Sequence, residues 1–337
     1  MAMSTQGISA KGLAAVIRHV VAVAVLATVT TTPAAMSRIE VVHKGIAHQA
    51  YFGIDFRGEH GMAVGTGGSL LASDDGGASW HPLPQAVTQL SLFDVTVGGG
   101  RTLVSGQMGT VLIGEAGGKW RAVQTPTKMR LLAIDQNSQG LAVAVGQFGT
   151  ILRSRDGGDT WQAVAPQWHG YTGHEFEPQL YDVVVDERGR VTVVGEFGLI
   201  IRSDDGGDSW RLLWRAESPV EDVPAPALWA LTLGEDGVGY AVGQEGLIVK
   251  TADDGRSWRK LDSGTHSGLQ GVQMVAGGQV LAIGIRELLE SRDGGATWQR
   301  LAGEDISTEW YQGLAAPQSG SAVLAVGHSG RVLRIRR

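Results

Sequence analysis

The sequence predicts an all-β fold, a seven-bladed β-propeller of four-stranded blades, on three observations. A turn motif, Ser-x-Asp-x-Gly-x-Ser/Thr-Trp, recurs along the chain; a glycine turn between two apolar runs precedes each copy; and 50 glycines stand against 10 prolines in 337 residues. A unit of ~40 residues that holds four short strands is the signature of a propeller blade.

The elements follow in chain order. Lys11 and Arg18 precede an apolar run, Val20 to Val29, and the small residues Thr30 to Ala35 follow it. That order reads as a secretory signal peptide over 1–35, cleaved near Ala34 or Ala35, with the propeller over 36–337. The run is about ten residues, whereas a spanning helix needs ~20, so no membrane anchor is expected. The expected location is the periplasm, with the mature protein a monomer and at most peripheral to a membrane.

The turn motif, or Asp-box, occupies Ser73–Trp80, Ser154–Trp161, Ser203–Trp210, Thr251–Trp258 and Ser291–Trp298, with a shortened copy at Gly114–Trp120. Its glycine supplies a positive φ, its Asp and Ser oxygens accept backbone N–H groups, and its Trp is expected to bury its ring between blades. The second motif, Val-Gly-x-x-Gly, has its first glycine at Gly65, Gly106, Gly146, Gly195, Gly243, Gly284 and Gly327, the Gly284 copy having lost its second glycine and one residue. A further strand comes before each turn, as at Leu92–Val97, Leu180–Val185, Leu228–Leu233 and Leu269–Met274. There are seven glycine turns and six boxes. The last repeat ends in its third strand, Arg331–Arg336, so the unassigned segment Arg38–Val42 is expected to supply the missing outer strand and close the ring.

Composition removes several functions. A net charge of -6 and no basic tract argue against nucleic acid as a partner. The absence of cysteine excludes disulfides, thiolate chemistry and Cys-ligated zinc.

The boxes and glycine turns at this spacing resemble the photosystem II stability and assembly factor family of BNR (Asp-box) repeat propellers. Gly61–Gly68 leading into Ser73–Trp80, and Val145–Trp161, carry the resemblance most closely. It implies a lumenal or periplasmic seven-bladed propeller that helps a membrane protein complex assemble, hence a non-catalytic scaffold with a protein partner and no cofactor. It also implies an arginine-lined contact surface. A glycan-processing or glycan-binding propeller is the alternative, because Asp-boxes also occur in sialidases. The Phe/Tyr-Arg-Ile-Pro segment of those enzymes is absent, and Phe56-Arg57-Gly58-Glu59 is the nearest approach. Carboxylates for glycoside hydrolysis could come from Asp55, Asp94, Asp182 or Glu196. Asp94 and Asp182, however, share a column with Gly53, Ala133, Ala230, Gly271 and Gly313, which reads as a tight-packing position near the axis.

Three other features bear on binding. The loop with His169, His174, Glu175 and Glu177 matches no standard metal spacing, and no metal is expected there. Arg153, Arg202, Lys250 and Arg334 share one third-strand column and predict a basic stripe, its stems over the box Trp rings or its charges open to an acidic partner. Finally, box-to-box spacing lengthens from 40 or 41 to 49 and 48 residues in the middle repeats, through insertions at Gln167–Pro178 and Ala216–Pro226. These share a face with the glycine turns, whose second variable position is large and apolar only at Met108, Phe148 and Phe197. With Trp168, Tyr171 and Phe176 from the first insertion and Trp229 after the second, these residues predict an exposed partner-binding patch anchored by Phe148 and Phe197.

Overall fold

A computed structural model describes residues 38–83, 87–98, 100–115, 118–172, 176–218, 223–275, 277–303, 305–320 and 322–336. The expected signal peptide lies outside the described residues.

Seven four-stranded antiparallel sheets form, and in six of them the four strands follow one another in sequence. The innermost strands are Tyr51–Arg57, Leu92–Val97, Leu131–Gln136, Leu180–Val185, Leu228–Leu233, Leu269–Val275 and Tyr311–Ala315. The seventh sheet joins the N-terminal strand Arg38–His43 to the outside of Val332–Arg336, with Ile39 opposite Ile335 and Val41 opposite Leu333. The ring thus closes as the sequence requires, and no half-built blade is left with an open edge.

Second and third strands are apolar on both sides because each blade is covered by a neighbour on either face. Residues 142–146 and 151–154, for example, are all buried. The core is accordingly a series of inter-blade clusters, such as that of Val143, Val145, Ile151, Val183 and Val193 between blades three and four.

The glycine turns are explained by close approach. A Cβ on Gly65 would stand 1.9 Å from the Ala50 carbonyl oxygen, and one on Gly146 the same distance from that of Arg130. The incoming connection of each blade therefore lies directly on its turn. The second variable position of every such turn is left-handed, including the non-glycine residues Met108, Phe148, Phe197, Glu245, Arg286 and Ser329.

The five complete boxes share one hydrogen-bond pattern. In the first, Ser73 Oγ accepts the Gly77 N–H at 2.9 Å, while Asp75 accepts the Ser79 N–H at 2.9 Å and the Ser79 hydroxyl at 2.6 Å. These bonds hold Asp75, Asp156, Asp253 and Asp293 down at about 2, the hydroxyl at the end of the box, or the one at its start for Asp156, being the largest cause. The Trp80 ring is buried and its Nε1–H donates to the Gly77 carbonyl at 3.3 Å.

Candidate functional site

The two faces of the ring differ in what they leave exposed. Glycine turns, and the connections that bring the chain from each outer strand back to the next inner strand, lie on one face; boxes and the turns between first and second strands lie on the other. Eight large hydrophobic side chains are exposed among the described residues. Seven of them, Ile46, Met108, Met129, Phe148, Phe176, Val223 and Ile285, sit on the glycine-turn face. The eighth, Leu212, is on an outer strand.

Backbone hydrogen bonds join part of this set into one ridge. The Gly109 N–H donates to the Met129 carbonyl at 2.8 Å, and the Gln147 N–H to that of Arg130 at 3.1 Å. Met129 is thereby held between the tips that carry Met108, 55% exposed, and Phe148, 56% exposed.

The predicted patch is only partly exposed. Phe197 is 6% exposed and Trp168 7%. The first insertion folds down: Trp168 lies over Gly149, its Nε1–H donates to the Gly149 carbonyl at 3.2 Å, and its ring joins the core between blades three and four. Tyr171 packs edge-on against Trp168 and donates its hydroxyl to the Trp210 carbonyl at 2.8 Å. Phe176 is exposed but lies 5.8 Å from the Phe197 ring, and the second insertion closes over Gly198 through Ala216 and Pro226. Phe197 is therefore covered from both sides, while Phe148, one blade earlier, is open. His169 lies in a single helical turn, and His174 and Glu175 of the same loop lie outside the described residues.

The basic stripe is internal. Arg153, 6% exposed, donates to the Gly206 carbonyl at 3.0 Å and to Asp208 at 2.5 Å, both in the next blade's box. Arg202 reaches the Asp254 carbonyl and Asp204, and Lys250 donates to the Gly294 carbonyl at 2.7 Å. The column is basic only where the following blade has a complete box. Arg334, half-buried, occupies it ahead of the first blade's box, whereas Ala72 precedes the shortened box and Glu290 precedes the boxless seventh blade. Arg153, Arg202 and Lys250 are inter-blade ties, which corrects the expectation of an open stripe.

The axis holds what the sequence reading passed over. A mouth cavity of about 290 Å³ on the glycine-turn face is lined by Phe52, Phe93, Leu132, Tyr181, Trp229, Gln270 and Gln312, one from each inner strand. The Phe52 and Phe93 rings are 5.7 Å apart. These residues form a single column, the one after the leading Leu or Tyr of each inner strand, and aligning the seven repeats would have exposed it; of the rings in it, only Trp229 was named from sequence. Tyr181 is pushed up to about 12 by burial and by the charge of Glu196.

Below the mouth, a channel of about 270 Å³ is lined by Asp55, Asp94, Asp135 and Asp182 and by no Lys, Arg or His. Each carboxylate accepts a backbone N–H from the next blade: Asp55 from Val97 (2.7 Å), Asp94 from Ile134 (2.9 Å), Asp135 from Val185 (2.7 Å) and Asp182 from Leu231 (2.7 Å). Asp94 and Asp182 are thus seam acceptors rather than packing fillers. Burial pushes Asp55 up to about 6 and Asp135 and Asp182 to about 7, and it lifts Asp94 well above the usual range with help from the charge of Asp182.

Against known proteins, residues 34–170 and 115–283 match the family described as photosynthesis system II assembly factor YCF48. Among solved structures, YCF48 bound to a D1 peptide is similar with a TM-score of 0.68 at 20% identity, over 89% of this chain and 97% of that one. YCF48 from Cyanidioschyzon merolae gives 0.68 at 20% identity, over 88% and 98%. The WD40 β-propeller domain of Doa1 gives 0.66 at 13% identity, over 90% and 98%. No curated protein matches the sequence. At these identities the structural likenesses carry the fold alone.

Proposed function

The chain belongs to the photosynthesis system II assembly factor YCF48 family, and on that premise we propose that it is a non-catalytic docking scaffold that binds a membrane protein through its glycine-turn face from the periplasmic side. The observation that carries this reading is the segregation of exposed apolar side chains, seven of eight on one face around an aromatic mouth. Water-exposed Met and Phe in left-handed turn positions stabilise nothing in the fold, and clustered apolar groups of this kind are the usual centre of a protein contact. The YCF48 structure with a D1 peptide supports a protein as the partner class. The four channel carboxylates are engaged in joining inner strands, which gives a glycan-cleaving reading no free acid and base pair to start from.

Capture from detergent-solubilised envelopes tests the proposal. With both Met108 and Phe148 replaced by Ser, co-purification of the partner should fall at least ~100-fold, the sum of two hot-spot losses, while the melting temperature stays within about 2 °C. Normal capture by the double variant would refute the docking face. Export is tested by N-terminal sequencing, which should begin near Met36.

A further inference from the structure

We propose that the aromatic mouth over the acidic channel receives one cationic side chain, an arginine or a lysine, offered by the docked protein. The inference rests on the docking reading above and adds the chemistry of the group at its centre. Three observations on the axis point the same way.

First, the mouth is a cavity of about 290 Å³ whose wall includes the rings of Phe52, Phe93, Tyr181 and Trp229 and no charged side chain. Ring faces attract a cation and offer nothing to an anion. Second, the cavity opens onto four carboxyl groups that no lining cation balances. Their oxygens already accept N–H groups, yet each retains lone pairs, and above the raised values of Asp55, Asp135 and Asp182 their charge favours a cation at the mouth. Third, two side-chain amides, Gln270 and Gln312, line both cavities and offer dipoles rather than charge. An apolar plug would leave the carboxyl groups unanswered, and an acidic one would be repelled. A guanidinium or ammonium presents donors to the amide and carboxyl oxygens and its charge to the rings.

The test uses the purified protein at about pH 8 and two small probes, Nα-acetyl-arginine amide and its neutral isostere Nα-acetyl-citrulline amide. The indole N–H of Trp229 is followed by NMR during each titration. Arginine amide should saturate with a Kd on the order of 1 mM, as suits so small a ligand. Citrulline amide should bind at least ~10-fold more weakly, and arginine binding should weaken several-fold between about 0.05 and 0.3 M salt. W229L should lose at least ~10-fold, read on Trp310 instead; should that variant misfold, F93L gives the same comparison. Equal affinity for the two amides, no saturation by about 20 mM, or unchanged binding in W229L or F93L would overturn the proposal. The docking reading is scored apart from this one. The variant with Met108 and Phe148 replaced by Ser should lose partner capture and keep arginine binding, so failure of the titration alone removes only the cationic group, and normal capture by that variant removes only the face.

Discussion

The box face and the glycine-turn face are built from the same seven repeats, yet they have diverged in opposite ways. Around the complete boxes the opening hydroxyl always has the same partner: Ser73, Ser154, Ser203, Thr251 and Ser291 all cap the glycine four residues on. On the opposite face the equivalent tip is Gly67, Met108, Phe148, Phe197, Glu245, Arg286 or Ser329, with no common chemistry. Repetition marks what the ring needs in order to stand, and variation at a fixed backbone position marks what was left free for contact.

That contrast can be broken experimentally. The largest effect is the loss of capture expected when Met108 and Phe148 are replaced by Ser, with stability unmoved. On the box face the pattern should reverse. Arg153→Ala removes a buried side chain and its bonds to Gly206 and Asp208, and should cost ~2–3 kcal/mol of stability by denaturant melt while capture at a permissive temperature stays at the wild-type level.

A pH series separates the boxes from the axis. The box aspartates, held down at about 2, contribute stability that is present above the unfolded value near 4 and is lost only as the pH falls through about 2. The channel aspartates are displaced upward, so their contribution is full below ~4 and is lost as the pH rises through about 6 to 7. Between pH 5 and pH 8 the box aspartates stay ionised while the channel titrates, and the melting temperature should fall by at least ~5 °C over that interval, the lowered His43 opposing the fall. A flat profile would mean that the channel aspartates are not displaced upward.

The smallest effect is the most discriminating. Phe148 has φ +52°, a conformation glycine adopts without penalty, so Phe148→Gly should raise stability by ~0.5–1 kcal/mol while weakening capture. A variant that is both less stable and normal in capture would place Phe148 in the fold rather than in the contact.

Much of this was legible in the sequence because it recurs. Blade number, strand order and the closing role of the Arg38 segment followed from counting turns against boxes. What failed did so where neighbours decide. Phe148 and Phe197 hold the same column and the same left-handed turn, but only Phe197 lies between two insertions long enough to cover it. Arg153 and Arg202 read as surface charges because their box acceptors belong to the next blade, some fifty residues on. The mouth rings escaped because each stands one position before the column that was aligned, at a point where every inner strand shifts register against its partner.

The clasp between the N-terminal strand and the last blade sets the order in which this protein can mature. Ile39 is among the first residues of the propeller to be made, and its partner Ile335 is among the last. Six blades can assemble from neighbours in sequence, but the seventh must wait for the whole chain, and its final pairing spans nearly the full length of the polypeptide. Until then the ring is an open arc with two unsatisfied edges. Its window of vulnerability to misassembly lasts as long as its own synthesis, and ends in a single late step.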